Sequence, residues 1–163
     1  MKVIFLDIDG VLNHYYWYRE RRFKCKLPHP LDDFDPKSVS YLNNITDITG
    51  AKIIISSSWR FDPDIVNILH KVGITGEIIG CTPDLYNIYG SLCRGKEIDV
   101  VLNKRPDIER YIILDDDTDM VGFRKDYTPY LIKCDTYTGF GMVEYSKACE
   151  FIERQLGDNN EED

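Results

Sequence analysis

Asp7 and Asp9 stand two residues apart at the end of an apolar run, Val3-Ile4-Phe5-Leu6, and are followed at once by Gly10. Residues i and i+2 of a strand point the same way, so two carboxylates at this spacing face one point if strand geometry persists. Side by side at the end of a buried strand they repel and lose hydration, and a cation between them relieves both costs. A hard ion such as Mg2+ suits that place, because it takes one or two protein carboxylates together with substrate phosphate oxygens. Gly10 permits a sharp turn straight after the acids. Taken alone, Asp-x-Asp-Gly reads equally well as a strand running into an acidic turn, so other parts of the chain must decide.

Three further groups carry chemistry: the hydroxyl run Ser56-Ser57-Ser58, Lys96, and the acidic run Asp115-Asp116-Asp117-Thr118-Asp119. Phosphoryl transfer needs a nucleophile, a proton donor for the leaving oxygen, a metal, and donors for the phosphate oxygens. Asp7 has the chemistry of the nucleophile, Asp9 of the acid and base, and Asp116 or Asp115 of a further metal ligand. A serine of the second strand supplies a hydrogen bond to phosphate. Lys96 supplies a positive charge at a helix start that itself favours anions.

The elements that must position these groups alternate. Apolar runs at 51–55 and 111–114 read as buried strands like the first, with further strands expected at 77–79 and 130–134. Helices are expected from Asp35-Pro36 to Gly50, from Asp62-Pro63 to Gly73, from Arg94 to before Pro106, and from Met142 to Leu156. Strands alternating with helices imply an α/β fold, a Rossmann-like three-layer sandwich around a central parallel sheet. Ligands of such sheets sit at the carboxyl ends of the strands, where all the reactive groups fall. The stretch from His14 to Phe34 has another character. Tyr15 to Tyr18 precede Arg19, Arg21, Arg22, Lys24 and Lys26, and Pro28 and Pro30 argue for an irregular connection. Aromatic and basic side chains together suit nucleic acid, but equally a surface loop packed on the domain.

In this order and setting the residues resemble the haloacid dehalogenase (HAD) superfamily of phosphohydrolases over essentially the whole chain. Asp7-Ile8-Asp9-Gly10-Val11 resembles its first motif, the serines its second, Lys96 its third and Asp115-Asp116 its fourth. The resemblance implies Asp7 as nucleophile and Asp9 as acid/base, with catalytic support from Ser57 and Lys96. It implies phosphate contacts from Asp9, Gly10, Ser57, Ser58 and Lys96, and Mg2+ held among Asp7, Asp9, Asp116 and Asp115. Asp116 would be the principal acid of the fourth motif and Asp115 its support. Aspartate at the second position of the first motif points to a phosphatase rather than a dehalogenase. Ser57 is preferred over Ser56 because it lies two residues before Trp59, and Lys96 over Lys104 and Arg105. Ser-Ser-Trp-Arg, Leu-Asp-Asp-Asp and Thr138-Gly139-Phe140-Gly141 resemble a narrower branch, the phosphatase domains of multidomain RNA-repair proteins, related to the phosphatase half of phage polynucleotide kinase-phosphatases. Trp59 and Arg60 read either as site wall or as a buried Trp beside a surface Arg.

The insertions that form caps in this superfamily are missing, which leaves an open site suited to the phosphate of an RNA or DNA end, or of a nucleotide. A catalytically silent relative serving as an interaction or phosphate-binding module is the alternative. A receiver-like signalling domain is excluded by the order of Lys96 and the acids, and an EF-hand by Met120 where glycine is required.

The chain has 163 residues, 43% hydrophobic and 29% charged, as for a globular domain over 1–157 with an acidic, disordered tail at 158–163. A net charge of −8 argues against general nucleic-acid binding by the whole surface. No apolar run is long enough for a membrane span and no apolar leader precedes the first strand, so a cytoplasmic place is expected. Five scattered cysteines suggest neither disulfides nor a zinc site, and are expected to be reduced and mostly buried.

Overall fold

Alternate residues of the first strand enter two different cores. In β1 (Lys2–Leu6), Ile4 and Leu6 join one apolar cluster while Val3 and Phe5 join another. The same alternation holds in β2 (Lys52–Ile55), where Ile53 and Ile55 oppose Ile54, and in β4 (Arg110–Asp115), where Ile112 and Leu114 oppose Ile113. Runs that are apolar at every position therefore form strands covered on both faces, as in parallel sheets.

The structure, a computed structural model, describes residues 1–24, 30–89, 94–118 and 130–157. Its sheet has the order β3-β2-β1-β4-β5, all pairs parallel, with β3 at Ile78–Cys81 and β5 at Leu131–Lys133. The larger core receives α2 (Pro36–Thr49) through Val39, Leu42 and Ile45, α3 (Ile65–Lys71) through Ile65 and Leu69, and α6 (Met142–Gly157) through Ala148. The smaller core receives α5 (Arg94–Lys104) through Ile98, Val101 and Leu102. This is the expected three-layer α/β arrangement, with no cap domain among the described residues.

Helix α2 starts as its sequence predicts. Asp35 accepts from the Lys37 amide at 2.9 Å, Pro36 takes the first turn, and Gly50 closes the helix in the left-handed region. Two expectations about elements are corrected. The stretch 14–34 contains the helix α1 (Tyr15–Lys24) and a 3-10 turn at Pro30–Asp33, with 25–29 outside the described residues. Asp62 does not cap α3: its carboxylate accepts from the Asp64 amide at 2.8 Å in a turn, and the helix begins only at Ile65. A further short helix, α4, spans Tyr86–Tyr89. Cys134 is buried, Cys149 is half-buried and Cys81 is exposed, contrary to a mostly buried set at that last position. Cys25, Cys93, Asp119 and the acidic tail lie outside the described residues. Among the described residues no helix is long and apolar enough to cross a membrane.

Candidate active site

Asp7, Ser56 and Thr82 each follow the last residue of a strand, and Asp115 is the last residue of β4. The Asp7 amide donates to Leu114 O at 2.9 Å, Ser56 N to Leu6 O at 2.7 Å, Thr82 N to Ile55 O at 2.8 Å, and Cys134 N to Asp115 O at 2.8 Å. The strand pairing thus extends past the last apolar residues and carries Asp7, Ser56, Thr82 and Asp115 to one edge of the sheet.

There, carboxylate oxygens of Asp7, Asp115 and Asp116 lie within 4.8 Å of one another, and Asp7 and Asp115 are buried. Asp9 is not in this group, because the strand ends at Leu6 and the chain coils from Ile8, whose carbonyl accepts from Leu12 N at 2.9 Å. Strand geometry does not persist to Asp9, and its exposed carboxylate is held instead by Asn13 Nδ2 at 2.8 Å and by Trp59 Nε1, 3.0 Å from both oxygens. The Asn13 side chain also accepts from Gly10 N at 3.1 Å and closes the turn.

The cation meeting these acids is Arg94. Its Nη1 lies 3.1 Å from Asp7 Oδ1 and 3.0 Å from Asp115 Oδ2, and it donates to Ser56 O as well. Burial pushes the Asp7 carboxyl above the ordinary aspartate value; Arg94, Ser57 and the Ile8 backbone pull it part of the way back. Lys96 stands half-buried two residues further along the first turn of α5. Lys104 and Arg105 are at the far end of that helix, where Arg105 pairs with Asp107 at 3.0 Å and reaches Met1 at the amino edge of the sheet. They are removed from the site.

Ser56 and Ser57 are both buried; among the described residues neither Ser56 Oγ nor Thr82 Oγ1 on the neighbouring strand end has a hydrogen-bond partner, while the Ser57 hydroxyl lies against the Asp7 carboxylate. Buried hydroxyls without partners cost free energy, and an oxyanion above the sheet would satisfy them. Ser57 faces Asp7, consistent with the preference for it over Ser56. Ser58 is exposed at the start of a 3-10 turn over Ser58–Phe61. Arg60 is not a surface residue: it bonds buried Glu97 at 2.9 Å and Ser57 O at 3.2 Å, tying that turn to α5.

The far wall is the segment 135–141. Thr136 Oγ1 donates to Asp116 Oδ2 at 2.7 Å. Gly139 adopts φ +68, and a Cβ there would sit 2.6 Å from His14 Cδ2 and 2.7 Å from Val11 O. His14, buried, holds Asp35 Oδ2 at 2.9 Å and Tyr137 O at 2.8 Å, joining this wall to α2. Asp117 is exposed, and its amide donates to Asp115 Oδ1 at 2.9 Å.

Of the residues singled out by type and spacing, Asp7, Asp115, Asp116 and Ser57 come together in the structure, beside Arg94, Asn13, Thr82 and Thr136, which residue type and spacing did not single out. Arg94 had a signal, a basic residue opening a helix at the strand ends, but the lysine two residues on offered the same one. Asn13, Thr82 and Thr136 carried none.

The donor set fits a divalent hard cation: three clustered carboxylates, all oxygen, balanced locally by one guanidinium. Searches of curated proteins and of solved structures returned no match. Over residues 3–144 the chain matches the family described as the HAD domain in Swiss Army Knife RNA repair proteins. With most of its length inside that match and its acids at the strand ends of a five-stranded parallel sheet, the chain belongs to this family of HAD domains.

Proposed function

We propose that this protein is a Mg2+-dependent phosphatase that hydrolyses a phosphomonoester through a phosphorylated Asp7, and that its substrates are the end phosphates of nucleic acids or nucleotides. The observation that carries the reading is the meeting of Asp7, Asp115 and Asp116 beside Arg94, with the buried Ser57 hydroxyl facing Asp7. The family, a HAD domain of RNA-repair proteins, supports the hydrolase class and the nucleic-acid substrate.

Asp7, Asp115 and Asp116 would hold the divalent cation, which supplies positive charge for the phosphoryl oxygens. Arg94 favours the ionised form of Asp7 against its burial and holds it in place, and Ser57 Oγ donates to a phosphoryl oxygen. Lys96, in the first turn of α5, adds charge at a helix start that favours anions. A carboxylate oxygen of Asp7 bonds to phosphorus as the ester P–O bond breaks, and the leaving alkoxide takes a proton from Asp9. Water then attacks the same phosphorus, Asp9 takes its proton, the bond to Asp7 breaks and inorganic phosphate leaves. Trp59 and Asn13 fix where the Asp9 carboxylate stands.

The test is hydrolysis of para-nitrophenyl phosphate with Mg2+, with EDTA and with Asp7→Asn, followed by end-phosphorylated RNA and DNA and by nucleotides. Metal-dependent turnover lost in the variant is expected. If all of these substrates stay intact with Mg2+, the protein is a catalytically silent HAD-like module instead.

A further inference from the structure

Helix α1 turns its aromatic and basic side chains outward, not into a core. Trp17 and Arg21, one turn apart, face the 3-10 turn at Pro30–Asp33: Trp17 Nε1 donates to Asp32 O at 2.8 Å and Arg21 pairs with Asp33. The other side of the helix lines a cleft of about 530 Å3 formed by Tyr15, Tyr18, Arg19, Arg22 and Phe23. These positions follow the i, i+3, i+4, i+7, i+8 spacing of one helix face. Phe23 is 83% and Tyr15 52% exposed, and no ion pair engages Arg19 or Arg22 among the described residues.

One end of the cleft lies beside the site. Tyr15 N and Tyr16 N donate to the carbonyls of Thr136 and Tyr137, and Thr136 holds Asp116. Tyr18 lies beside Asn13, and burial, with the charges of Asp33 and then Asp9, raises its phenol above the ordinary value. The rings of Tyr15 and Tyr16 pack edge to face, and that of Tyr137 lies 5.5 Å from Tyr15.

We propose that this face of α1 is the platform on which the single strand behind the reacting end phosphate lies, its bases on Tyr15 and Phe23 and its phosphates on Arg19 and Arg22. The proposal rests on the phosphatase reading for the place of the end phosphate. Charge complementarity selects the occupant: α1 carries four basic residues against one acid, on a chain of net charge −8. A second copy would bring the same basic face to this one and be repelled. Exposed rings beside unpaired guanidinium groups suit a polyanion whose every unit has a flat apolar face. From Tyr15 to Phe23 the helix rises about 12 Å, room for about three stacked nucleotides.

The experiment measures binding of single-stranded RNA and DNA of one to eight nucleotides to the full chain carrying Asp7→Asn, by fluorescence anisotropy, alongside para-nitrophenyl phosphate turnover by chains with intact Asp7. Affinity is expected to rise with length up to three or four nucleotides and then level off. Arg19→Ala/Arg22→Ala and Tyr15→Ala/Phe23→Ala should each weaken oligonucleotide binding at least about tenfold, the arginine pair also flattening its salt dependence. Neither pair should alter turnover of the small ester. Affinity independent of length, or unchanged in either pair, overturns the proposal, and loss in the arginine pair alone would mark a merely basic patch. Turnover of the small ester without strand binding defeats the platform and leaves the phosphatase reading standing; strand binding through α1 without turnover does the reverse.

Discussion

A Cβ placed on Gly10 would lie 2.1 Å from Oδ2 of Asp116, so the turn after β1 and the acid after β4 occupy touching volumes. Gly10 also has φ +72, which side-chain-bearing residues avoid. Gly10→Ala should therefore do two things together. It should destabilise the fold by about 1–2 kcal/mol through backbone strain, and displace Asp116, lowering Mg2+-dependent hydrolysis about a hundredfold. Thermal melts and initial rates across a Mg2+ titration check both effects.

Asp7 is costly to the apo fold. Its folded carboxyl sits above its unfolded value, chiefly through burial, so the folded state binds the proton more tightly. The sign follows: this contribution favours the fold below the unfolded value of about 3.9 and is lost as pH rises through the raised folded value. In EDTA at pH 7, Asp7→Asn should melt a few degrees higher than the natural chain, the scale of about 1 kcal/mol at this length, while in Mg2+ it loses all turnover.

Arg94 neutralises Asp7 and Asp115 at once. Arg94→Ala should cost up to about 3 kcal/mol in urea unfolding, because it strands buried carboxylates, and less in Mg2+ than in EDTA. Lys96→Ala should cost far less stability. Hydrolysis abolished by Lys96→Ala but spared by Arg94→Ala would overturn the role given to Arg94.

Trp59→Phe keeps a ring against Phe34, whose centroid is 5.4 Å away, but removes the N–H from Asp9. Turnover of para-nitrophenyl phosphate should fall about tenfold in kcat with little change in KM, as for a residue that orients a catalytic group. The melting temperature should hardly move, and equal loss of both would mark Trp59 as packing alone.

Asp35 joins α2 to His14. Burial alone would raise its carboxyl, but the hydrogen bonds from His14 and from the Lys37 amide outweigh it and hold it below the ordinary value. Its stabilisation is therefore present above about pH 3.9 and lost as pH falls through the lowered folded value. Asp35→Asn keeps the cap but loses the charge-assisted bond with His14, and should cost about 1–2 kcal/mol at pH 7, a difference from the natural chain that shrinks in acid unfolding below about pH 3.9.

The strands and α2 are legible in the sequence because their signals are local. An apolar run such as Val3–Leu6 has few alternatives to a covered strand, and Asp35-Pro36 with Gly50 marks both ends of one helix. Helix α1 is not legible, because it buries no apolar stripe: its aromatics face outward among arginines, and two following prolines suggest a loop. Asp9 and Arg94 fail for a different reason. Where the strand stops decides whether Asp9 joins Asp7, and how α5 crosses the strand ends decides that Arg94 meets the acids. Both are facts of tertiary geometry that residue type and spacing do not carry.

The central claim is that Asp7 carries the phosphoryl group. The direct measurement is acid quenching of the protein during turnover of an end-radiolabelled oligonucleotide with Mg2+, followed by peptide mapping. The account predicts label on the peptide containing Asp7, released by hydroxylamine as an acyl phosphate, and none with EDTA or with Asp7→Asn. Metal-dependent release of phosphate that persists in Asp7→Asn, or label on another residue, would contradict it.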